Sequence, residues 1–268
     1  MRDYVRAAGG GLVVGLPLLF TMEVWWHGFE LPWWKILLLL GIGFGIVVGY
    51  SSIAGFRRER TTTELLLDSV VALGIGVVIS AVALVLLGQI DGSTSVREAA
   101  GKVALESIPI AFGASLAATQ LGGEATDPDD GAKPLERLLV AAGGALIFAL
   151  NVAPTEEPMM LGIEASFWLL ALVVVVTIVV TYALVFLANF GGTQRTGKGI
   201  LGHPLSETVS AYAASLLVSA VLLWCFGRLD GAGPGPIMGM LVMLTVVASV
   251  GAAVARLVVG GHSEAATN

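Results

Sequence analysis

Charged side chains are scarce in this sequence, because Asp, Glu, Lys and Arg together make up only 13% of its 268 residues. Soluble domains carry roughly twice that fraction. Apolar residues take their place, reaching 56% of the chain with a mean hydropathy of +0.88. Several apolar runs approach or exceed the ~20 residues that a helix needs to cross a bilayer. The composition excludes a soluble globular domain and indicates an integral membrane protein in contact with the lipid bilayer.

Cysteine and histidine are nearly absent, which limits the chemistry that the chain can perform. The single cysteine, Cys225, excludes both a disulfide framework and a cysteine-based metal site. The three histidines form no HExxH motif, and no CxxC motif is present. We therefore expect a protein that is not an enzyme and that carries no cofactor and no metal. The net charge of −6 argues against nucleic acid as a partner.

The apolar runs predict an all-α polytopic membrane protein with about eight transmembrane helices. The predicted spans cover residues 8–26, 34–55, 63–88, 98–121, 135–153, 165–189, 205–226 and 236–259. Tryptophans at positions 25, 26, 33 and 34 bracket the first outer turn and are typical of an aromatic belt at the water interface.

The basic residues predict the orientation of these spans. With the N-terminus inside, ten of the 14 lysines and arginines fall on the cytoplasmic side, as the positive-inside rule requires. They are Arg2, Arg6, Arg57, Arg58, Arg60, Lys133, Arg137, Arg195, Lys198 and Arg256. The sequence thus predicts a multi-pass protein of the plasma membrane with both termini cytoplasmic.

The chain also repeats itself. Residues 7–30 align without gaps on residues 141–164, an offset of 134, and ten of the 24 positions are identical. The matches of Thr21 with Thr155 and of Glu23 with Glu157 do not follow from apolar composition. The turn 88-GQIDG-92 likewise resembles 227-GRLDG-231 at an offset of 139, and Gly113 meets Gly251 at an offset of 138.

These matches predict two four-helix repeats, one over residues 1–125 with spans 1–4 and one over residues 126–268 with spans 5–8. Four spans per repeat give both halves the same orientation, with a pseudo-symmetry axis along the membrane normal. Sites in such folds tend to form where the halves face each other, so we expect paired carboxylates at the repeat interface to carry the function.

The first candidate pair is Glu23 with Glu157, each near the end of an apolar run. An acid there is either an interfacial group at a helix end or a working group that faces water inside the protein. The repeat favours the second alternative, because Thr21 and Thr155 each lie two residues before the acid, and prolines flank Glu157. Prolines free backbone carbonyls, and hard cations favour oxygen ligands. We assign these four residues and Glu156 to an outer ion site.

Three further acids are candidates. Asp68 and Glu207 match at an offset of 139, about one turn into their spans, and either form the inner mouth of a cation pathway or simply complement helix N-termini. Glu106 has no acidic partner, because its counterpart at an offset of 138 is Leu244. It is either an asymmetric ion or proton ligand, or it pairs with Lys102 or Arg97 along the same helix.

The block TMEVWW, from Thr21 to Trp26, with the glycine-rich segment before it, resembles an uncharacterised family of prokaryotic integral membrane proteins. The resemblance extends along most of the eight-span layout. It implies membership of that family and a membrane-spanning fold, and it implies no particular activity.

The residues favour a channel or transporter for a small inorganic cation or for protons. Acids at both ends of the spans and little basic charge inside them support this function. Two alternatives stay open: a proton-coupled carrier of a small solute or anion, and a non-transporting membrane protein that binds lipid or assists assembly. Homo-oligomer formation is compatible with either class.

Overall fold

The computed structural model describes residues 2–54, 61–121, 134–190 and 204–260. Within those ranges the predicted all-α fold is confirmed, because the backbone forms ten α-helices and no strand. They are α1 Arg2–Leu19, α2 Met22–Glu30, α3 Trp33–Ala54, α4 Thr62–Leu86, α5 Val96–Leu121, α6 Pro134–Leu150, α7 Glu157–Glu164, α8 Phe167–Phe190, α9 Pro204–Cys225 and α10 Pro234–Gly260.

The helices fall into two compact units, Met1–Glu124 and Ala125–Asn268, which we call unit 1 and unit 2. Each unit contains a first helix, a short second helix of eight or nine residues, and three long helices. In unit 1 the last helix, α5, packs against α1, α2, α3 and α4; in unit 2 the last helix, α10, packs against α6, α7, α8 and α9. The central helix of each unit is therefore its last one. The proposed duplication of the chain stays a prediction.

Glycines allow the first helix of each unit to lie directly on the central helix. A Cβ on Gly10 would overlap Ala117, and one on Gly113 would meet the Gly10 carbonyl oxygen. In unit 2, a Cβ on Gly144 or on Gly251 would overlap the carbonyl oxygen of the other. Helices in a membrane often pack with their backbones this close. Lipid tails are as apolar as the helices, so the hydrophobic effect does not drive the helices together and close packing does.

Among the described residues, five helices are long and apolar enough to cross a bilayer. They contain the segments Trp33–Ser51, Thr62–Leu86, Phe167–Val185, Leu205–Cys225 and Pro234–Arg256. The most apolar of these segments are in α4 and α8, and they are also the least buried. An exposed surface of valine and leucine on a helix is what lipid contact requires. The chain is thus an integral membrane protein with several apolar helices, and the count of eight spans stays a prediction.

The structure differs from the predicted spans in two places, one near the start of each unit. The expected first span, residues 8–26, is interrupted after Leu19, and a separate helix begins at Met22. Pro17 has no N–H to donate and its ring disturbs the helix around it. The Thr21 hydroxyl then donates a 2.8 Å hydrogen bond to the Pro17 carbonyl, and the Thr21 N–H donates to Leu18 O. Local bonds therefore satisfy the carbonyls that the interruption frees.

The second unit has the same interruption. The predicted span 135–153 ends as a helix at Leu150, turns occupy residues 151–156, and α7 follows from Glu157. Asn151 donates from Nδ2 to the Ile147 carbonyl at 2.8 Å, and Thr155 donates from its hydroxyl to Val152 O at 2.7 Å. We call these two interruptions the break of unit 1 and the break of unit 2.

A pair of aromatic residues opens the long helix that follows the break in each unit. Trp33 and Trp34 open α3, and Phe167 and Trp168 open α8; all four side chains are exposed, by 41%, 53%, 65% and 79%. Aromatic side chains in this position are typical of the membrane–water interface. Several residues used above for the orientation lie outside the described residues: Arg57, Arg58, Arg60, Lys133, Arg195 and Lys198.

Candidate functional site

The break end of each unit is where the short helix crosses the central helix. In unit 1 a Cβ on Gly28 would overlap the backbone at Gly101 and Lys102, and one on Gly101 would overlap the Gly28 carbonyl. In unit 2 Gly162 and Gly239 meet in the same way. These contacts hold α2 on α5 and α7 on α10 with no side chain between them, so the two breaks are fixed at the same place in their units.

Glu106 is a fully buried acid at the break end of unit 1. It lies on α5 with 0% of its surface exposed, and both carboxyl oxygens are buried without a hydrogen-bond partner. Buried polar groups are almost always paired, and an unpaired one commonly indicates a functional group or a bound species. In this structure Lys102 pairs with Glu98, Arg97 donates to the Phe29 carbonyl, and neither lies in an ion pair or hydrogen bond with Glu106.

The contacts of α5 give the level of Glu106 in the unit. Gly15 of α1 lies against Ile110, and Gly10 lies against Gly113 and Ala117, so α1 and α5 run antiparallel. Glu106 is one turn further along the same face of α5, level with the end of α1 at the break. The α3 contact between Gly43 and Ile108 puts it about seven residues beyond Trp34, or roughly 10 Å below the aromatic pair. Glu106 therefore lies roughly 10 Å along the unit from the exposed Trp33 and Trp34, away from the aromatic end.

Lys102 is the buried cation nearest to Glu106 in sequence, but it is bound elsewhere. Its ammonium lies 2.7 Å from Glu98 Oε1 and donates to the Gln89 carbonyl at 2.8 Å. It also lies 5.4 Å from the ring centroid of Trp25 and 5.7 Å from that of Phe29. A carboxylate, a carbonyl and two aromatic faces together compensate the burial of an ammonium group.

Unit 2 has a cation at its break as well, supplied from a different position. Arg228 lies in the turn that corresponds to 88–92, where unit 1 has Gln89, and donates from its guanidinium to the Pro154 carbonyl. Its Nε is buried without a hydrogen-bond partner. The positions that correspond to Lys102 and Glu106 are Met240 and Leu244, with 1% and 0% exposure. The break end of unit 2 therefore has a guanidinium group from its turn, and a leucine at the position of the Glu106 carboxyl group.

The predicted acids of the two breaks lie at the starts of the short helices. Glu23 is in the first turn of α2 and Glu157 is the first residue of α7, where the helix dipole favours an acid. Glu23 is half-buried, whereas Glu156 and Glu157 are exposed. The neighbouring Thr155 hydroxyl, then the helix N–H, and more weakly Arg228, hold the pKa of Glu157 below its usual value.

Asp68 and Glu207, the second predicted pair, each lie at the end of their unit that is opposite the break. The surroundings of the two carboxylates differ. Glu207 is 8% exposed, and its carboxylate lies 3.6 Å from Arg256 of α10, which also donates to the Glu207 carbonyl at 3.3 Å. Asp68 is exposed on α4, one turn beyond the capping box that Thr61 and Glu64 form. The two members of each acid pair belong to different units. That they act together stays a prediction.

Sequence reasoning missed the roles of Lys102, Glu98 and Arg228. The signal for the first two was their spacing, since Glu98, Lys102 and Glu106 recur every four residues on α5 and so share one helix face. The signal for Arg228 was the turn alignment, in which it replaces Gln89. Across the described ranges, no cluster of three or more His, Cys, Asp or Glu side chains could hold a metal ion.

Helices with lipid-facing apolar surfaces, breaks flanked by aromatic pairs and a buried acid define the class: an all-helical, multi-pass integral membrane protein. Within that class, residues 3–259 match the model of the family described as "Putative integral membrane protein (DUF2391)", and the chain belongs to that family. The match confirms the predicted membership of a membrane-protein family. The prokaryotic origin of that family stays a prediction. No curated protein and no solved structure matches the chain.

Proposed function

We propose that this protein transports a small cation, or protons, across the plasma membrane, as a channel or a transporter and not as an enzyme. The observation that carries the proposal is Glu106, a fully buried acid with no hydrogen-bond partner on either oxygen. A carboxyl group inside the apolar part of a membrane protein usually marks an ion or proton pathway.

The surroundings of Glu106 favour a group that changes its charge state during function. A bare carboxylate ion in this place would cost several kcal/mol of desolvation that no partner offsets. The resting group is therefore the neutral acid, and it ionises when a cation or water reaches it. The break of α1 lies at the same level along the unit, so its backbone carbonyls and the Thr21 hydroxyl are the candidate oxygen ligands for a cation that reaches this level.

The other carboxylates act as the ends of the pathway. Glu23 with Thr21, and Glu157 with Thr155 and Glu156, attract the cation at the break end of each unit, where acids concentrate at helix starts. Asp68 and Glu207 act at the opposite end, which is cytoplasmic in the proposed orientation. Arg256 holds the Glu207 carboxylate in place rather than removing its charge.

A proton-coupled carrier of a small anion or solute is the second candidate. Arg228 favours it, because a guanidinium with one buried unpartnered N–H lies at the break of unit 2. Guanidinium groups bind carboxylates and phosphates through two parallel hydrogen bonds. Glu106 would then bind the coupling proton and Arg228 the cargo.

Flux measurements on the full-length protein in liposomes test the proposal. The wild type is compared with Glu106→Gln, with the double variant Glu23→Gln/Glu157→Gln, and with the control Glu164→Gln, which changes an exposed acid at the end of α7. We expect K⁺, Na⁺ or proton flux in the wild type and in the control, and loss of that flux in Glu106→Gln.

The outcomes separate the candidates. Anion-selective flux at neutral pH that depends on Arg228 would replace the cation assignment with the carrier. The absence of flux for every cation, proton and anion tested, in correctly folded protein, would contradict transport and favour a protein that binds lipid or assists assembly. Full flux in the double variant would remove Glu23 and Glu157 from the pathway.

A further inference from the structure

We propose that Lys102 is the exchangeable counter-ion of Glu106: its ammonium leaves Glu98 for the Glu106 carboxylate when that group releases its proton. The inference deepens the proposed function, on which it rests, by naming the residue that controls the charge state of the buried acid. It makes Lys102 a positioning residue that couples ionisation to the contacts of the break.

Spacing along α5 brings the three side chains together. Glu98, Lys102 and Glu106 are four residues apart in succession, which places neighbours on one face of the helix within reach of each other. Side chains on a helix lean toward its N-terminus, so Lys102 reaches Glu98 more readily than Glu106. The observed 2.7 Å ion pair with Glu98 is the pair that this geometry favours while Glu106 is neutral.

Burial reverses the preference once Glu106 ionises. The Glu98 side chain is 32% exposed, so water already solvates its charge, whereas Glu106 is 0% exposed and has no other partner. The attraction between opposite charges grows as the local dielectric constant falls, and the buried carboxylate therefore attracts the ammonium more strongly. Water can replace Lys102 beside the Glu98 carboxylate at a small cost in free energy. The buried Glu106 carboxylate has no such access to solvent.

The other titratable groups around this part of α5 do not replace Lys102. Those on α2 are Glu23, His27 and Glu30, and those on α3 are Lys35 and Tyr50. Residues 7–19 of α1 and 69–86 of α4 contain no titratable side chain. His27 Nδ1 lies 2.6 Å from the Glu23 carbonyl, and its Nε2 lies 4.0 Å from Glu30. Lys102 is thus the one cation of the described residues that lies a single helical turn from Glu106.

The step conserves charge and protons. The O–H bond of the Glu106 acid breaks, its electron pair stays on the carboxylate oxygen, and the proton passes to water. Lys102 keeps its three protons and changes partner from Glu98 and the Gln89 carbonyl to Glu106. Because the Gln89 carbonyl belongs to the turn between α4 and α5, the exchange also releases that turn from α5.

Infrared spectroscopy of the full-length protein in nanodiscs tests the exchange without any transport. The protonated carboxylic acid band that disappears in Glu106→Gln reports the state of Glu106, and its pH midpoint is compared between variants. In Lys102→Met, which introduces the residue of unit 2, we expect the midpoint to rise by about one pH unit, a tenfold change. Lys102→Arg keeps the charge, so its midpoint should stay close to that of the wild type.

A second variant keeps the test decisive if Lys102→Met does not fold. Glu98→Gln removes the competing carboxylate, so the midpoint of Glu106 should fall. A midpoint that is unchanged in Lys102→Met, or in Glu98→Gln where the first variant cannot be purified, would overturn the exchange and leave Lys102 as a structural clamp. A shifted midpoint in a protein without flux would keep this inference and contradict the proposed transport; flux lost in Glu106→Gln with unshifted midpoints would do the reverse.

Discussion

The two units share a backbone design and differ in the polar side chains at their breaks. In both, the first helix stops, a short helix crosses the central helix at a glycine pair, and an aromatic pair opens the next helix. Unit 1 places Glu106 and Lys102 on its central helix, where unit 2 has Leu244 and Met240. Unit 2 instead has Arg228 in its turn, where unit 1 has Gln89.

This difference separates the residues that form the scaffold from those that carry chemistry. Each unit brings one cation to a backbone carbonyl at its break end: Lys102 to Gln89 O in the turn between α4 and α5, and Arg228 to Pro154 O in the break itself. The requirement for a cation is therefore common to both units, although the residue that meets it is not. The buried acid has no such structural reason, because Leu244 fills the same place in unit 2 with 0% exposure.

The largest effect should come from the shared glycine crossings. Gly101→Ala and Gly239→Ala each insert a methyl group into the carbonyl of the facing glycine, so backbone must move. Overpacking of this kind costs about 1–3 kcal/mol or more. We expect either variant to lose most of its folded yield, measured as monodisperse protein in detergent.

Gly74→Ala is the matched control for the crossings. A Cβ at Gly74 meets nothing within 4 Å, so the substitution should leave stability unchanged or raise it, as alanine does in helices. Equal loss of yield in Gly74→Ala would contradict the role assigned to the crossings.

Exchange of the residues at positions 106 and 244 tests the polar difference directly. Glu106→Leu removes a buried group without a partner, so it should raise the free energy of unfolding by about 1–3 kcal/mol while abolishing transport. Leu244→Glu should lower stability by at least as much. Thermal unfolding of the purified variants measures both changes, and a loss of stability in Glu106→Leu would mean that the acid has a structural partner.

Moving the cation of unit 2 from position 228 to position 240 should have an intermediate effect on stability. Arg228→Gln leaves the Pro154 carbonyl without its charged donor and should cost roughly 1–3 kcal/mol. Addition of Met240→Lys copies the arrangement of unit 1 and should restore part of that loss. Chemical unfolding of the single and double variants gives the coupling, and strictly additive effects would show that the two positions do not replace each other.

The smallest effect concerns the turns GQIDG and GRLDG. In unit 1, Asp91 accepts hydrogen bonds from Ser93 and Thr94, which lower its pKa from 3.8 to about 2. Its contribution to stability is therefore complete above about pH 4 and is lost as the pH falls through about 2.

Asp91→Asn should lower the melting temperature slightly at pH 7, and this effect should shrink as the pH falls toward 2 and disappear below it. The corresponding acid of unit 2, Asp230, precedes Gly231, Ala232 and Gly233, which offer no hydroxyl groups. Asp230→Asn is therefore the control, and an equal effect at both turns would contradict the role of Ser93 and Thr94.

Much of this architecture could be predicted from the sequence. Hydropathy identified the membrane class, because apolar runs of ~20 residues have few other uses. The family match confirms the predicted membership of an uncharacterised family of integral membrane proteins. Prolines at 154 and 158 indicated the break of unit 2, and Pro17 has a related place before Glu23, but the span 8–26 was predicted without an interruption. A proline inside a helix often bends it without ending it, and the local hydrogen bonds of Thr21 decide the outcome here.

The partners of the charged groups were harder to predict. Four-residue spacing allows Lys102 to pair with Glu98 or with Glu106, and only the position of Gln89 O and the rings of α2 decides between them. For the same reason the sequence did not distinguish the exposed acids, Glu156 and Glu157, from the buried Glu106. Burial depends on which helix lies at the centre of a unit, and α5 is less apolar than the lipid-facing α4 that precedes it.

Proton uptake into liposomes that contain the wild type or Glu106→Gln tests the central claim most directly. A potassium diffusion potential, negative inside, drives uptake, and a pH-sensitive dye trapped in the lumen measures it. We expect acidification by the wild type above that of empty liposomes, and none by Glu106→Gln of the same yield and melting behaviour. Equal rates of acidification in the two proteins would contradict it.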